Sequence, residues 1–223
     1  MDTKCQKRHL ARAVPFLASV LAIICLGGCQ SSASFRSRSG LQSTGYFDTV
    51  VLDAGHGGHD SGARSVSGIP EKSLTLDTTR RTARILRSSG LSVVETRTTD
   101  CFIPLDQRVA SSNRLKNVIF VSLHFNWSKN SKPSGVETFY YSSRSSSLAA
   151  GLQREILKVY GAKNRDIKRR SLYVLRNNNR PAVLCELGFV SNPSENRKLQ
   201  NAATRQKLAE SIAKGILTEK ARR

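Results

Sequence analysis

The sequence predicts a single α/β domain: an open, mostly parallel or mixed sheet of about six strands, with helices on both faces. Short apolar runs alternate with longer stretches of helical periodicity. One run, NVIFVSLH at 117–124, is apolar nearly throughout, as a strand covered on both faces must be. A chain of 223 residues has room for one such domain with a proper core, plus a tail.

The elements follow in order. Val50 to Leu52 is the first strand. EKSLTLDTTRRTARILRSSG, 71–90, is a helix that opens on Glu71 and stops at Gly90. LSVVET and LDQRVASSNRLK are the next strand and helix, and NVIFVSLH the central strand. GVETFYY is a further strand, followed by a helix from about Ser146 to Tyr160. LYVL, 172–175, reads as a short strand and PAVLCE, 181–186, as the last one. A final helix over about 204–218 puts Leu208, Ile212 and Ile216 on one face.

The N-terminal segment is of another kind. MDTKCQKRHLAR is basic, and AVPFLASVLAIICLGG after it is apolar but short for a membrane span, an order that marks an export signal. It closes on LGGC, which resembles the bacterial lipobox and implies cleavage after residue 28, with lipid carried on Cys29. Gln30 gives no aspartate-type signal for retention at the inner membrane, so the expected location is the periplasmic face of the outer membrane. Residues 30–45, rich in Ser, Gly and Arg, read as a flexible tether, which leaves the domain to begin near residue 46.

Charge sets the partner class. Lys and Arg number 36 against 16 Asp and Glu, a formal +20. Losing residues 1–28 leaves 32 against 15, or +17, so the basic surface belongs to the exported part. Its expected partners are anionic lipid and a cell wall rich in carboxylates, with acyl chain and charge acting as a two-signal anchor. Nucleic acid is not expected, because neither a recognition motif nor a suitable compartment supports it. Only Cys101 and Cys185 lie beyond the leader and Cys29, too few for a disulfide framework.

In open α/β sheets, ligands bind beyond the carboxyl ends of the strands. Three apolar strands here end in metal-type or acid–base side chains: VVLDAGH in His56, VIFVSLH in His124 and AVLCE in Glu186. Glu71 opens the helix that follows the first strand's loop and so lies near the same edge. Two imidazoles and two carboxylates suit zinc: three ligands, one open position, and one carboxylate left to move a proton. Each residue alone has a plainer reading, and a carboxylate at a helix N-terminus is stabilising without any metal.

The motifs VVLDAGHGGHDSGA, EKSLTL, TRTTD, VSLHFN, GVETFY and PAVLCELGFVSNPSE occur in that order. Together they resemble the zinc-dependent N-acetylmuramoyl-L-alanine amidases of the type 3 amidase family, over about Thr49 to Leu217. The resemblance implies Zn2+ held by His56, Glu71 and His124, with Glu186 as catalytic carboxylate. Its implied substrate is the peptidoglycan amide between the lactyl group of N-acetylmuramic acid and L-alanine. Asn126 matches a position near the metal that would orient substrate. His59 falls at the family's variable position, which disfavours it as a ligand. Phe125 and Trp127 are bulkier than usual there and would narrow the groove or offer a stacking surface. Some relatives carry a helical plug between the strand that ends in the second His and the strand of the catalytic Glu; the segment 125–185 is accounted for by ordinary elements, which implies an open groove.

Two other readings stay open. Ser211 and Lys214 have the Ser-x-x-Lys spacing of penicillin-binding enzymes, so a D-alanyl carboxypeptidase, serine- or zinc-type, is one. A non-catalytic peptidoglycan-binding lipoprotein is the other.

Overall fold

Six strands build the sheet: β1 (Thr49–Ala54), β2 (Ser92–Glu95), β3 (Val118–Asn126), β4 (Val136–Tyr140), β5 (Asn164–Arg169) and β6 (Ala182–Phe189). This computed structural model describes residues 47–222. The expected export signal at 1–28, the lipid-bearing Cys29 and the tether at 29–45 lie outside the described residues. The strand order is β2-β1-β3-β6-β4-β5. The first four in that order run parallel, β4 lies antiparallel to β6, and β5 is parallel to β4. The helices are α1 (Glu71–Ser88), α2 (Leu105–Asn113), α3 (Ser146–Ile156), α4 (Tyr173–Arg176), α5 (Pro193–Gln200) and α6 (Ala202–Ala221). An open mixed sheet of six strands covered on both faces is the expected fold class.

The two-residue period of the strands divides the core. Val50, Leu52, Val121, Leu123 and Val183 pack with Leu74 and Leu86 of α1, Leu148 and Leu152 of α3, and Ile212 and Ile216 of α6. Val51, Phe120 and Leu184 face the other way, against Val109 of α2 and Val174 of α4. This second apolar layer stops short of the strands' carboxyl ends. Along β1, β3 and β6, Asp53, Ser122, His124 and Glu186 continue the alternation of Val51, Phe120 and Leu184. The polar site therefore grows out of the α2–α4 side of the sheet.

Several expectations change. LYVL is not a strand: Tyr173–Arg176 is the short helix α4, reached from an extended Leu172. Four apolar residues cannot fix a period, and β6 already has β3 and β4 on its two sides. The strand that the sequence hid is β5, NRDIKR, which pairs only with β4. As an edge strand it carries charges that discourage further pairing and so lacks an apolar signal. α5 also went unread, although Asn192 caps it by accepting from the Ser194 and Glu195 amides and Pro193 opens it. Finally, β3 and β6 run on to Asn126 and Phe189, beyond the expected ends. Cys185 is a buried free thiol, its pKa pushed up to about 12 by burial, so it does not bridge to Cys101. Among the described residues no helix is long and apolar enough to cross a membrane.

Candidate metal centre and active site

The loop after β1 is held from beneath by two buried arginines. Arg97 Nε donates to the Ala54 carbonyl at 3.0 Å and Nη2 to that of Gly55 at 2.8 Å. Arg108 Nη1 donates to the Ala54 carbonyl at 2.7 Å and Nη2 to that of His56 at 2.8 Å. Three successive carbonyls are thus turned inward, and His56 itself adopts φ 61, a conformation that costs a non-glycine residue energy. Arg108 is neutralised by Asp53 at 2.7 Å, both fully buried. Asp53 also accepts from Ser122 Oγ and Thr96 Oγ1, each at 2.7 Å. Burial alone would raise its pKa, but Arg108 and the two hydroxyls hold it below the usual carboxylate range. Burial, and then the Arg108 charge, draw Arg97 down to about 10, so it stays a cation at neutral pH.

On this platform His56, Glu71 and His124 converge, with one ligand atom from each lying within 4.8 Å of the others. His56 Nε2 is 3.1 Å from Glu71 Oε2, and His124 Nδ1 is 3.0 Å from Glu71 Oε1. The imidazole planes stand at 79° with centroids 4.8 Å apart. Glu71 is the first residue of α1, and its oxygens also accept from the Ala63 and Phe125 amides at 3.0 Å. Asp60 Oδ2 lies 2.9 Å from His56 Nδ1, which fixes the ring and leaves Nε2 facing the cluster. Carboxylates behind ligating histidines act in this way.

The charges are tightly linked. Burial would raise Glu71, but the hydrogen bonds and charges of His124 and His56 hold it well below the usual range. Burial likewise disfavours a charged His124, yet Glu71 outweighs it and lifts the imidazole to about 9. His56 shifts upward for the same reason. Two nitrogens and one carboxylate oxygen, all poised on one point, fit a divalent metal with a position left open.

Glu186 stands directly beside His124 in the β3–β6 register. Its Oε2 is buried and has no hydrogen-bond partner among the described residues. Burial is the main cause that brings its carboxyl up to about 7, opposed by His124 and reinforced by Glu71 and Glu137. An orphaned, high-pKa carboxylate beside a ligand cluster has the properties of a proton carrier. The adjoining cleft, about 410 Å³, runs from His56 and His124 along Phe102, Ile103, Leu105 and Tyr173.

The other sequence-derived residues fall as follows. Asn126 lies at the end of β3, donating to Glu137 Oε1 at 2.7 Å and accepting from the Trp127 amide at 2.8 Å. His59 is outside the cluster, its exposed ring resting on Phe102 at 4.1 Å. Phe125 does not line the groove; it is buried in the α1–α6 layer, whereas Trp127 is 53% exposed. Ser211 and Lys214 sit on α6, Lys214 exposed with its Nζ 3.5 Å from Glu155. The sequence reading missed Asp53, Arg97, Arg108, Asp60 and Glu137. A signal existed for Asp53: a carboxylate inside the apolar run VVLDA demands a buried cation.

Gly55 makes the closest demand on the site. A Cβ there would come within 2.3–2.7 Å of the His124 ring. Gly55→Ala is expected to lose about 1–3 kcal/mol by overpacking and to weaken divalent-metal binding roughly 10- to 100-fold. Thermal melts beside a metal titration check this; unchanged metal affinity would mean that His124 does not need its present position.

Comparison with known proteins supplies the family. The model of the family Amidase_3, described as N-acetylmuramoyl-L-alanine amidase, matches residues 50–218. The amidase LytC of Bacillus subtilis is 33% identical over 175 residues, which cover 77% of this chain but 35% of LytC. The catalytic domain of CwlV, the amidase of Bacillus (Paenibacillus) polymyxa var. colistinus, superposes with a TM-score of 0.75 at 37% identity. That match covers 77% of this chain and 97% of the domain. AmiC2 of Nostoc punctiforme gives 0.76 at 36% identity, over 80% of this chain and 99% of that one. With a family match over most of its length and the fold to accompany it, the chain belongs to the N-acetylmuramoyl-L-alanine amidase family Amidase_3.

Proposed function

We propose that this chain is a zinc amidase that hydrolyses the peptidoglycan amide joining the lactyl group of N-acetylmuramic acid to L-alanine. The observation that carries the reading is the His56–Glu71–His124 cluster, one strand away from Glu186, whose buried Oε2 has no hydrogen-bond partner among the described residues. His56 Nε2, a Glu71 oxygen and His124 Nδ1 would hold the ion, and zinc suits two nitrogens and one oxygen. When bound, zinc supplies Lewis acidity toward the carbonyl and makes water acidic enough to attack near neutral pH.

The remaining steps belong to side chains. Glu186 takes a proton from the attacking water and delivers it to the departing alanine nitrogen. A carboxyl poised near 7 can do both, because neither protonation state is strongly preferred. Asp60 keeps the His56 proton on Nδ1, and Arg97 and Arg108 keep the loop beneath it rigid. Asn126, locked by Glu137, borders the site as a substrate-orienting amide.

Zinc binding gives the test. His124, with its pKa near 9, carries a proton at neutral pH when no metal competes. The ion has to displace that proton, so zinc affinity rises with pH toward 9 and at least one proton leaves per zinc near pH 7. Calorimetry in buffers of different ionisation heat counts it. Zinc binding without proton release, or undiminished in Glu71→Ala, would remove the basis of the reading.

The chain is further proposed to act outside the cytoplasm, on the periplasmic face of a membrane, held by lipid on Cys29 and by its basic surface. LGGC and the formal +17 support this. Membrane fractionation should release Cys29→Ala but retain the parent protein; equal retention of both would remove the lipid from the account.

A further inference from the structure

We propose that Arg165 and Lys168 form a subsite for a carboxylate of the stem peptide, on the leaving-group side of the scissile bond; this rests on the amidase reading. Antiparallel pairing of β4 with β6 sets Glu137 opposite Glu186, on the same face of the sheet. Glu137 is buried and both its oxygens are engaged, Oε1 by Asn126 at 2.7 Å and Oε2 by Lys168 Nζ at 2.5 Å. Arg165 is left at 3.7 Å, an ion pair too long for a hydrogen bond. Its Nε is buried and without a hydrogen-bond partner among the described residues.

Arg165 and Lys168 therefore flank Glu137, which itself stands opposite Glu186, and the Glu195 carboxylate also acts on Arg165 without taking up its Nε. Both side chains keep about a third of their surface exposed, 30% for Arg165 and 32% for Lys168. Packing holds the guanidinium in place, 5.0 Å from the ring centroid of Phe189, three residues beyond Glu186 on β6. A fixed, planar, under-bonded guanidinium is suited to a carboxylate, which it can meet with two parallel hydrogen bonds. Glycan around the lactyl amide is uncharged, whereas a stem peptide carries carboxylates. The cation pair thus assigns the peptide to the β4–β5 side and leaves the neutral sugar to the apolar walls at Phe102, Leu105 and Tyr173.

The experiment uses the full chain loaded with zinc and two N-acetylmuramyl-L-alanyl peptides, alike except that the second residue bears a free carboxylate or its carboxamide. The parent protein should favour the carboxylate by roughly 10- to 100-fold in KM. In Arg165→Met that preference should collapse toward one, and Lys168→Met should reduce it. Lys168→Arg should restore it. Should Arg165→Met fail to fold by thermal melt, Arg165→Lys keeps the charge without the fork and should show an intermediate preference. Equal use of both peptides by the parent protein, or a preference intact in the Arg165 variants, overturns the subsite and leaves the amidase intact. Release of no L-alanyl product from either peptide overturns the amidase reading instead. The subsite is then judged by NMR titration with the free L-alanyl dipeptide and its amide, and equal affinity for the two overturns it.

Discussion

Glu186→Gln should leave the protein folded and loaded with metal while its turnover falls by roughly 10²- to 10⁴-fold. Gln has the same shape but cannot take a proton, so the loss falls on kcat and little on substrate binding. A second signature separates this from general damage. The Glu186 carboxyl is raised to about 7 in the folded protein, against 4.5 for the free group. A group raised in this way supports the fold fully below the lower value and progressively less as pH climbs through the higher one. Before metal is added, Glu186→Gln should therefore melt with the parent near pH 4 and above it at pH 7. Near-normal turnover in Glu186→Gln with full zinc content would end the assignment.

Arg108→Ala should cost about 3–5 kcal/mol of stability, the range for stripping one partner from a buried ion pair. It strands Asp53, which is 1% exposed, removes the side-chain donors to the carbonyls of His56 and Ile103, and leaves the Ala54 carbonyl to Arg97. The same change removes the support beneath a histidine held at φ 61, so zinc affinity should fall with stability. Arg108→Lys should rescue little, because one ammonium cannot reach four acceptors lying in different directions. Thermal or urea melts, read beside a zinc titration, check both effects. A loss under 1 kcal/mol would mean that the Asp53–Arg108 pair is not what holds the loop.

The parts of this molecule that were legible in the sequence are those in which one physical demand dominates. β3 is buried on both faces, so its apolar run announced a central strand; His124 and Glu186, closing such runs, announced an edge with chemistry. Glu71 was legible as a helix start near the same edge, but a helix N-terminus explains a carboxylate by itself. Its place beside both histidines came from the family resemblance and is met in the structure. β5 was hidden because an edge strand is held by backbone pairing while its side chains answer to solvent. α4 was misread because LYVL is too short for a period, and its apolar residues face α2 and β6 whether the backbone is helical or extended. Arg97, Arg108 and Glu137 were invisible for a different reason. In sequence a buried arginine looks like an exposed one, and only the fold shows which carbonyls or carboxylates surround it.

The most direct test of the central claim is mass spectrometry of the products formed from purified muropeptides, with and without a zinc chelator. Free stem peptides that begin with L-alanine are expected, absent under chelation and restored by added zinc. Loss of a terminal D-alanine alone, indifferent to the chelator and blocked by penicillin, would contradict the claim and move the chemistry to Ser211.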